Sequence, residues 1–143
     1  MQIRSAERDD LEAIRSLLTQ AELPEEGVAE HLASFLVAER GAALLGVAGL
    51  EIYADVALIR SVAVASEYRR QGLGEQLCQA LLERATELDV DRCYLLTETA
   101  ERFFAARGFR RVERSAAPPA IQNTGEFTHL CPESAALMTR KLS

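Results

Sequence analysis

Several features that would assign a function class at once are missing from this chain of 143 residues. Its three cysteines, Cys78, Cys93 and Cys131, lie far apart and form no C-x-x-C pair, so a disulfide framework or a zinc site is not expected. Its two histidines, His31 and His129, are too few to build a metal cluster by themselves. We therefore predict a protein without a bound metal.

Charge and hydrophobicity argue against two further classes. The net charge is −6, so no basic surplus exists to neutralise the phosphates of a nucleic acid. No apolar run reaches membrane-spanning length, and the first residues carry an acid early and contain no apolar signal core. These absences predict a soluble cytoplasmic protein without nucleic-acid or membrane partners. The length suits one domain, 1–143, with a single core.

What the chain does have is a stretch, 60–74, in which an apolar run breaks into glycines before a helical pattern. Gly72 and Gly74 remove side chains, so that the backbone can approach an anion closely. The first amides of the following helix have no intrahelical partner and lie at the positive end of the helix dipole. Arg69 and Arg70 add positive charge at the rim. The stretch therefore predicts a site for a phosphate group.

Two motifs carry a resemblance to a known family. Arg69-x-x-Gly72-x-Gly74 resembles motif A of the GNAT superfamily of acyl-CoA-dependent N-acyltransferases, which reads Gln/Arg-x-x-Gly-x-Gly/Ala. Phe103-Phe104-x-x-x-Gly108-Phe109 resembles the family's Phe-Tyr-x-x-x-Gly-Phe segment. The resemblance covers nearly the whole chain. It implies an α/β fold, the GNAT fold, with a mixed central sheet of about six to seven strands and about four flanking helices. A homodimer is common in the family.

The hydrophobic pattern independently predicts a β–helix–β unit around the glycines. Leucines and alanines recur at helical spacing from Leu73 to Leu88, between an apolar strand, 56–64, and a second strand, 92–96. Because a helix crosses between them, these two strands should be parallel. We further predict helix caps at Asp9 and at one of two threonines, Thr97 or Thr99. Other strands are predicted at 2–5, 35–39, 43–52 and 109–112, and after Ser134.

The resemblance implies acetyl-CoA as the acyl donor and assigns residues to it. Its pyrophosphate would lie on the backbone of the motif A turn, and its pantetheine arm would pair with the preceding strand as that strand splays from its neighbour. The implied cofactor-binding residues are Val62, Ala63, Val64, Arg69, Arg70, Gln71, Gly72, Leu73, Gly74 and Phe104. The backbone amide of Val64 would face the thioester carbonyl and stabilise an oxyanion.

Direct attack by an amine needs a group that takes a proton. Glu51, Glu98 and Glu126 are candidate bases, none singled out by its spacing, and Tyr53 and His129 are further possibilities. Many family members have a tyrosine, as acid for the departing thiolate, where this chain has Phe104. Phenylalanine cannot donate a proton, so the thiolate would leave with help from water, a helix dipole, Tyr94 or Thr97. Phe104 itself would stack on the pantetheine. Cys78 lies inside an apolar helical pattern, which disfavours it as a nucleophile.

Arg60 is the residue that gives a first indication of the acceptor, because it is a charge within an otherwise apolar strand. Arg60 either pairs with an internal acid or faces the cleft and binds a substrate carboxylate, with Glu126 as a second substrate-binding residue. The segment from Pro119 to Ala135 resembles small amino-acid N-acetyltransferases associated with arsenic-resistance genes. That resemblance implies a small, amino-acid-like acceptor amine. The alternatives are a protein or peptide N-acetyltransferase and a non-catalytic acyl-CoA sensor.

Overall fold

A computed structural model describes residues 1–142 as one twisted sheet with helices on both faces. Seven strands contribute to the sheet. They are β1 (Gln2–Ser5), β2 (Phe35–Arg40), β3 (Ala43–Tyr53), β4 (Val56–Val64), β5 (Arg92–Thr97), β6 (Arg110–Val112) and β7 (Ala136–Lys141). The α-helices are α1 (Leu11–Gln20), α2 (Leu73–Glu87), α3 (Glu101–Ala105) and α4 (Pro119–Gln122). None of the helices in this part of the chain is long and apolar enough to cross a membrane.

The strands lie in the order β1-β2-β3-β4-β5-β7-β6, and every neighbouring pair is antiparallel except β4 and β5. The parallel pair has α2 as its crossover, as the spacing predicts. Its ladder is short, joining Val56–Leu58 only to Arg92–Tyr94. The predicted mixed sheet is confirmed, and so is the parallel arrangement of the two strands around the glycine turn.

Two layers of helix cover the sheet because the apolar stripes of the helices match its two faces. The buried stripe of α2 consists of Leu73, Leu77, Cys78, Leu81, Leu82 and Ala85, and it forms one core with the sheet and with Phe104. The opposite face is covered by α1, through Ile14, Leu17 and Leu18, and by α4, through Ile121. The sheet is therefore buried on both sides where β4 and β5 lie.

A β-bulge interrupts the pairing of β3 with β4. Gly49 lies opposite Arg60, but Val47 lies opposite Ala63, so β4 carries one extra residue in this interval. Ser61 adopts a left-handed backbone conformation there, with φ of 59°. Such a conformation is strained for a residue with a side chain, and it clusters at functional sites. The bulge lies where β4 parts from β5.

The predicted caps were wrong in detail. The N-terminal turn begins with a capping box between Glu7 and Asp10, in which the Asp10 carboxylate accepts the amide of Glu7, and Asp9 makes no such cap. The hydroxyl of Thr97 accepts the amide of Ala100, but α3 itself begins only at Glu101. The helix ends at Ala105, before Arg107, and Gly108 follows in the left-handed conformation that a helix C-terminus favours.

Candidate active site

The candidate active site is the gap that opens between β4 and β5 beyond their short parallel ladder. From Ile59 onward, β4 has no hydrogen-bonded partner strand on the side that faces β5. A cavity of about 230 Å³ fills the gap. It is lined by Ala21, Leu23, Pro24, Ile59, Arg60, Ser61, Val62, Leu95, Leu96, Thr97, Thr99, Ala100, Phe104, Glu126 and Cys131. The two strands thus splay apart as the resemblance implied, and the cavity reaches the bulge.

The exposed edge of β4 offers backbone hydrogen-bonding groups to this gap. The amide of Ala65 bonds to the carbonyl of Leu45 on β3, so the amide of Val64, one residue earlier, points to the side of β5. The carbonyl of Val64 points the same way and accepts the Arg69 Nε at 3.0 Å. An extended molecule rich in amides can pair with such an edge. The direction of the Val64 amide matches its predicted role, which stays a prediction.

The motif A turn has the geometry of an anion site. Gly72 is the N-cap of α2 with φ of 80°, and Arg70 also has a positive φ, of 66°. No side chain caps the first amides of α2, so these donors remain open to a ligand. The side chains of Arg69, Arg70 and Gln71 are exposed around them. A turn of this form, next to the open edge of β4, fits the pyrophosphate and pantetheine of an acyl-CoA.

Phe104 closes the α2 side of the cavity. It is buried and packs edge-on against Phe103 and Phe109, with ring centroids 5.0 and 5.7 Å away. Gly74 lies against the same cluster, since a Cβ added there would be 3.6 Å from the Phe103 ring. The aromatic ring that replaces the family's tyrosine therefore has a packing role and forms a wall of the cavity.

The acceptor side of the cavity is dominated by a buried charge network around Arg60. Its Nη1 donates to Glu51 at 2.7 Å, and its Nε lies 3.1 Å from Glu126 and 3.0 Å from the Ser61 hydroxyl. The Arg60 side chain is only 2% exposed. Arg60 therefore pairs with internal acids, which is the first of the two alternatives predicted for it. A substrate-binding role for Arg60 or Glu126 remains a prediction.

The loop after α1 encloses the same guanidinium. The carbonyl of Pro24 lies 3.4 Å from Nη2 of Arg60. Gly27 has φ of 84°, and a Cβ there would lie 2.9 Å from Nη1 of Arg60, so a side chain at this position would be both strained and in collision with the guanidinium. The approach of this loop depends on glycine, and it separates the charge network from solvent.

Glu51 has further partners on the side away from the cavity. The hydroxyl of Tyr53 donates a hydrogen bond to its carboxylate, and the imidazole of His31 lies 3.7 Å away. Burial, and then the bond to this carboxylate, raise the pKa of Tyr53 well above its ordinary value, so the phenol stays protonated. Glu51 does not line the cavity. It is placed to hold Arg60, and its role as a base stays a prediction.

Cys131 is one of the residues of this site that sequence reasoning did not assign to it. Its thiol donates to Glu126 at 2.8 Å, across a short π-helical segment, Glu126–Leu130, that brings the two side chains together. Burial, followed by the neighbouring carboxylate, raises the pKa of Cys131 to about 12. The thiol is therefore neutral and acts as a donor to Glu126. Nothing in the local sequence predicts a π-helix, so no sequence signal could have shown this contact.

Two other candidates lie away from the cavity. Glu98 is exposed, accepts the Ser134 hydroxyl and does not line the cavity, so the structure does not support it as the base. Cys78 is buried inside α2, and burial raises the pKa of its thiol, which argues against a nucleophile. Of the candidate bases, Glu126 is the one that lines the cavity.

Comparison with known proteins gives a consistent result. The profile described as "Acetyltransferase (GNAT) family" matches residues 1–109. An amino-acid acetyltransferase of Pasteurella multocida is 31% identical over 108 residues, which covers 72% of this chain and 24% of that protein. An uncharacterised N-acetyltransferase of Chlorobaculum tepidum is 30% identical over 97 residues, covering 67% and 62% of the two chains. The chain thus spans about a quarter of the length of the amino-acid acetyltransferase.

Solved structures share the fold. N-acetylglutamate synthase of Neisseria gonorrhoeae, crystallised with coenzyme A and N-acetyl-glutamate, superimposes with a TM-score of 0.87 at 24% identity, covering 99% of this chain and 35% of that one. Rv2747 of Mycobacterium tuberculosis, crystallised in complex with CoA, superimposes with a TM-score of 0.85 at 24% identity and covers both chains completely.

Proposed function

This chain belongs to the GNAT acetyltransferase family, and on that premise we propose that it transfers an acetyl group from acetyl-CoA to the primary amine of a small molecule. The observation that carries the proposal is the gap beside β4. An unpaired strand edge and a cavity meet there, and the uncapped N-terminus of α2 lies close to the end of that edge, since a Cβ added at Gly74 would be 4.0 Å from Val64. The relatives named as amino-acid acetyltransferases favour a small acceptor over a folded protein.

The chain's own residues suggest how the donor is held. The open amides at the start of α2 bind the pyrophosphate, and the edge of β4 around Val62 and Val64 pairs with the pantetheine arm. Phe104 packs beside that arm and keeps water from the end of the cavity. The bound thioester supplies the acetyl group in activated form. The amide of Val64 faces the carbonyl oxygen, where negative charge develops during attack.

Glu126 is the proposed proton acceptor because it combines access to the cavity with fixed orientation. Arg60 holds one of its oxygens and the Cys131 thiol bonds to the other. In the reaction a bond forms between the amine nitrogen and the acetyl carbon, and the bond from that carbon to sulfur breaks. The amine gives its proton to Glu126, and the thiolate takes a proton from water, since Phe104 has none to give.

An assay of thiol release over a panel of small amines tests this proposal. We expect thiol release that depends on both acetyl-CoA and an amine, and a loss of kcat in Glu126→Gln of about a hundredfold or more, as for removal of a general base. The names of the relatives favour amino-acid-like acceptors. An acyl-CoA sensor would bind the donor without turnover, and a peptide acetyltransferase would release thiol only with peptides.

A further inference from the structure

The acceptor side of the cavity contains more negative than positive charge. Arg60 and Glu126 are the charged residues among those that line the cavity in the described part of the chain, and Glu51 lies directly behind Arg60. Two carboxylates share one guanidinium, which gives a formal charge of −1. The Cys131 thiol and the Tyr53 phenol remain protonated and add nothing.

The positive charge of Arg60 is already committed. Nη1 and Nε bind the two carboxylates, Nη2 faces the Pro24 carbonyl, and the loop at Gly27 covers the guanidinium, leaving 2% of the side chain exposed. Among the described residues, His31 is the other basic side chain within ion-pair distance of the network, at 3.7 Å from Glu51. Arg114, whose charge acts on Cys131, donates its hydrogen bonds to the carbonyls of Phe127 and Ala135. With both carboxylates ionised, even a protonated His31 would bring the network only to neutrality, so Arg60 keeps its anionic partners.

Resting on the proposed function, we infer that the acceptor is a small amine that carries no free carboxylate beside its amino group, such as an amino-acid amide or ester or a simple alkylamine. The ammonium of such a molecule is attracted to Glu126. A free α-amino acid would bring its carboxylate within one carbon of the same place, against an excess of negative charge. That carboxylate would also lose its hydration without gaining a cationic partner, and this selects against it.

Three compounds with the same isobutyl side chain test the inference: leucine, leucinamide and isoamylamine, which lacks the carboxyl group. We expect kcat/KM for leucinamide and for isoamylamine to exceed that for leucine at least tenfold. Leucinamide is less basic than leucine, so a larger fraction of its amine is neutral, and this alone would raise its kcat/KM. Isoamylamine is more basic than leucine, so a higher kcat/KM for isoamylamine could not come from a larger neutral fraction. Equal or better use of leucine would overturn the inference.

Variants link the preference to the network. Glu126→Gln removes the excess negative charge and should narrow the ratio of isoamylamine to leucine at least fivefold, although both rates fall. Glu51→Gln should also narrow the ratio of isoamylamine to leucine, because the Arg60 Nη1 would lose its carboxylate partner. Glu133→Gln, which changes an exposed acid outside the cavity, is the matched control and should leave the ratio unchanged. A ratio that stays the same in both network variants would contradict the charge explanation.

Binding separates this inference from the proposed function. With coenzyme A bound and no acetyl group present, isoamylamine should raise the melting temperature of the protein more than leucine at equal concentration. If no amine yields thiol, the proposed function fails, and this binding comparison still decides the inference. If leucine is the preferred acceptor in both assays, the function stands and the inference is wrong.

Discussion

His129 Nε2 lies 2.7 Å from a carboxylate oxygen of Glu26, which joins the segment after α4 to the loop after α1. Each of these segments contributes walls to the cavity, through Glu126 and Cys131 on one side and Pro24 on the other. The pair is exposed, and Thr128 orients the imidazole through its second nitrogen. The contact therefore links two walls of the acceptor site from outside.

His129→Ala should weaken acceptor binding with little effect on stability. An exposed contact of this kind, even between full charges, contributes only about 0–1 kcal/mol to folding, so the melting temperature should change little. The two walls should become less well fixed relative to each other, and KM for the amine should rise several-fold while the thermal shift with acetyl-CoA is unchanged. Arg111→Ala, which breaks an exposed pair with Glu101 outside the cavity, is the control. An unchanged KM would show that the pair has no part in acceptor binding.

Gly72→Asp should abolish most of the stabilisation by acetyl-CoA. At about 100 times its Kd a ligand adds about 2.7 kcal/mol to the free energy of unfolding. A carboxylate beside the open amides of α2 would repel the pyrophosphate. Gly72→Ala is the matched control, since it carries the same strain of positive φ, about 1–2 kcal/mol, without the charge. Thermal unfolding with and without acetyl-CoA measures both. Equal ligand shifts in a folded Asp variant would place the anion site elsewhere.

Phe104→Leu should lower stability and donor affinity without altering the pH–rate profile. The ring is buried between Phe103 and Phe109, and each edge-on aromatic pair is worth about 0.5–1.5 kcal/mol. Because the ring has no proton to transfer, the shape of the profile should be that of the unmodified protein. Activity that vanishes while the donor still binds would reveal a positioning role of the ring in the reaction.

Arg60→Met should destabilise the fold by about 3–5 kcal/mol, because it leaves Glu51 and Glu126 buried without their partner. The double variant with Glu51→Gln should recover part of that loss. Denaturant unfolding of the single and double variants gives both numbers. A single variant with nearly unchanged stability would favour the substrate-binding interpretation of Arg60, and kcat/KM for an amino acid would then be the quantity that falls.

Acid should destabilise the protein partly through Asp10. A hydrogen bond from Arg4, opposed by partial desolvation, holds the pKa of Asp10 below its ordinary value of 3.8. A pKa lowered by folding contributes stability that is present above 3.8 and is lost as the pH falls through the lower, folded value. Asp10→Asn should thus cost about 1–2 kcal/mol at every pH well above 3.8, and the cost should shrink only as the pH falls below 3.8. Asp9→Asn, in an exposed neighbour, is the control, and a cost that persists in acid would contradict the mechanism.

The sheet and α2 could be predicted because their signals are local and repeated. Apolar residues recur every turn along α2, and the apolar run of β4 continues directly into the glycine turn. Helix ends depend on single hydrogen bonds, which is why the caps were predicted at Asp9 and at the threonines and found at Glu7 and Ala100.

The donor and acceptor halves of the site differ in how completely the sequence predicts them. The anion turn is contiguous, so Gly72 and its neighbours were identified together. The acceptor side is assembled from Arg60 on β4, Glu51 on β3 and Glu126 and Cys131 from the C-terminal region. The isolated charge of Arg60 signalled that a partner must exist, but the sequence left open which one. Only the long-range packing decides it, and the π-helical contact of Cys131 has no local signature.

The bulge in β4 has a consequence for how this strand tolerates change. Before it, the odd-numbered Ala57 and Ile59 pack with the α2 core. After it, the even-numbered Val62 and Val64 do so, and Ala63 packs on the opposite face. One inserted residue therefore exchanges the faces of all later side chains. Substituting Ser61 would remove its hydrogen bond with the Arg60 Nε, whereas deleting it would turn the valines away from α2 and reverse the edge that β4 presents to the gap. In this strand, adding or removing one residue therefore changes the packing more than substituting one residue does.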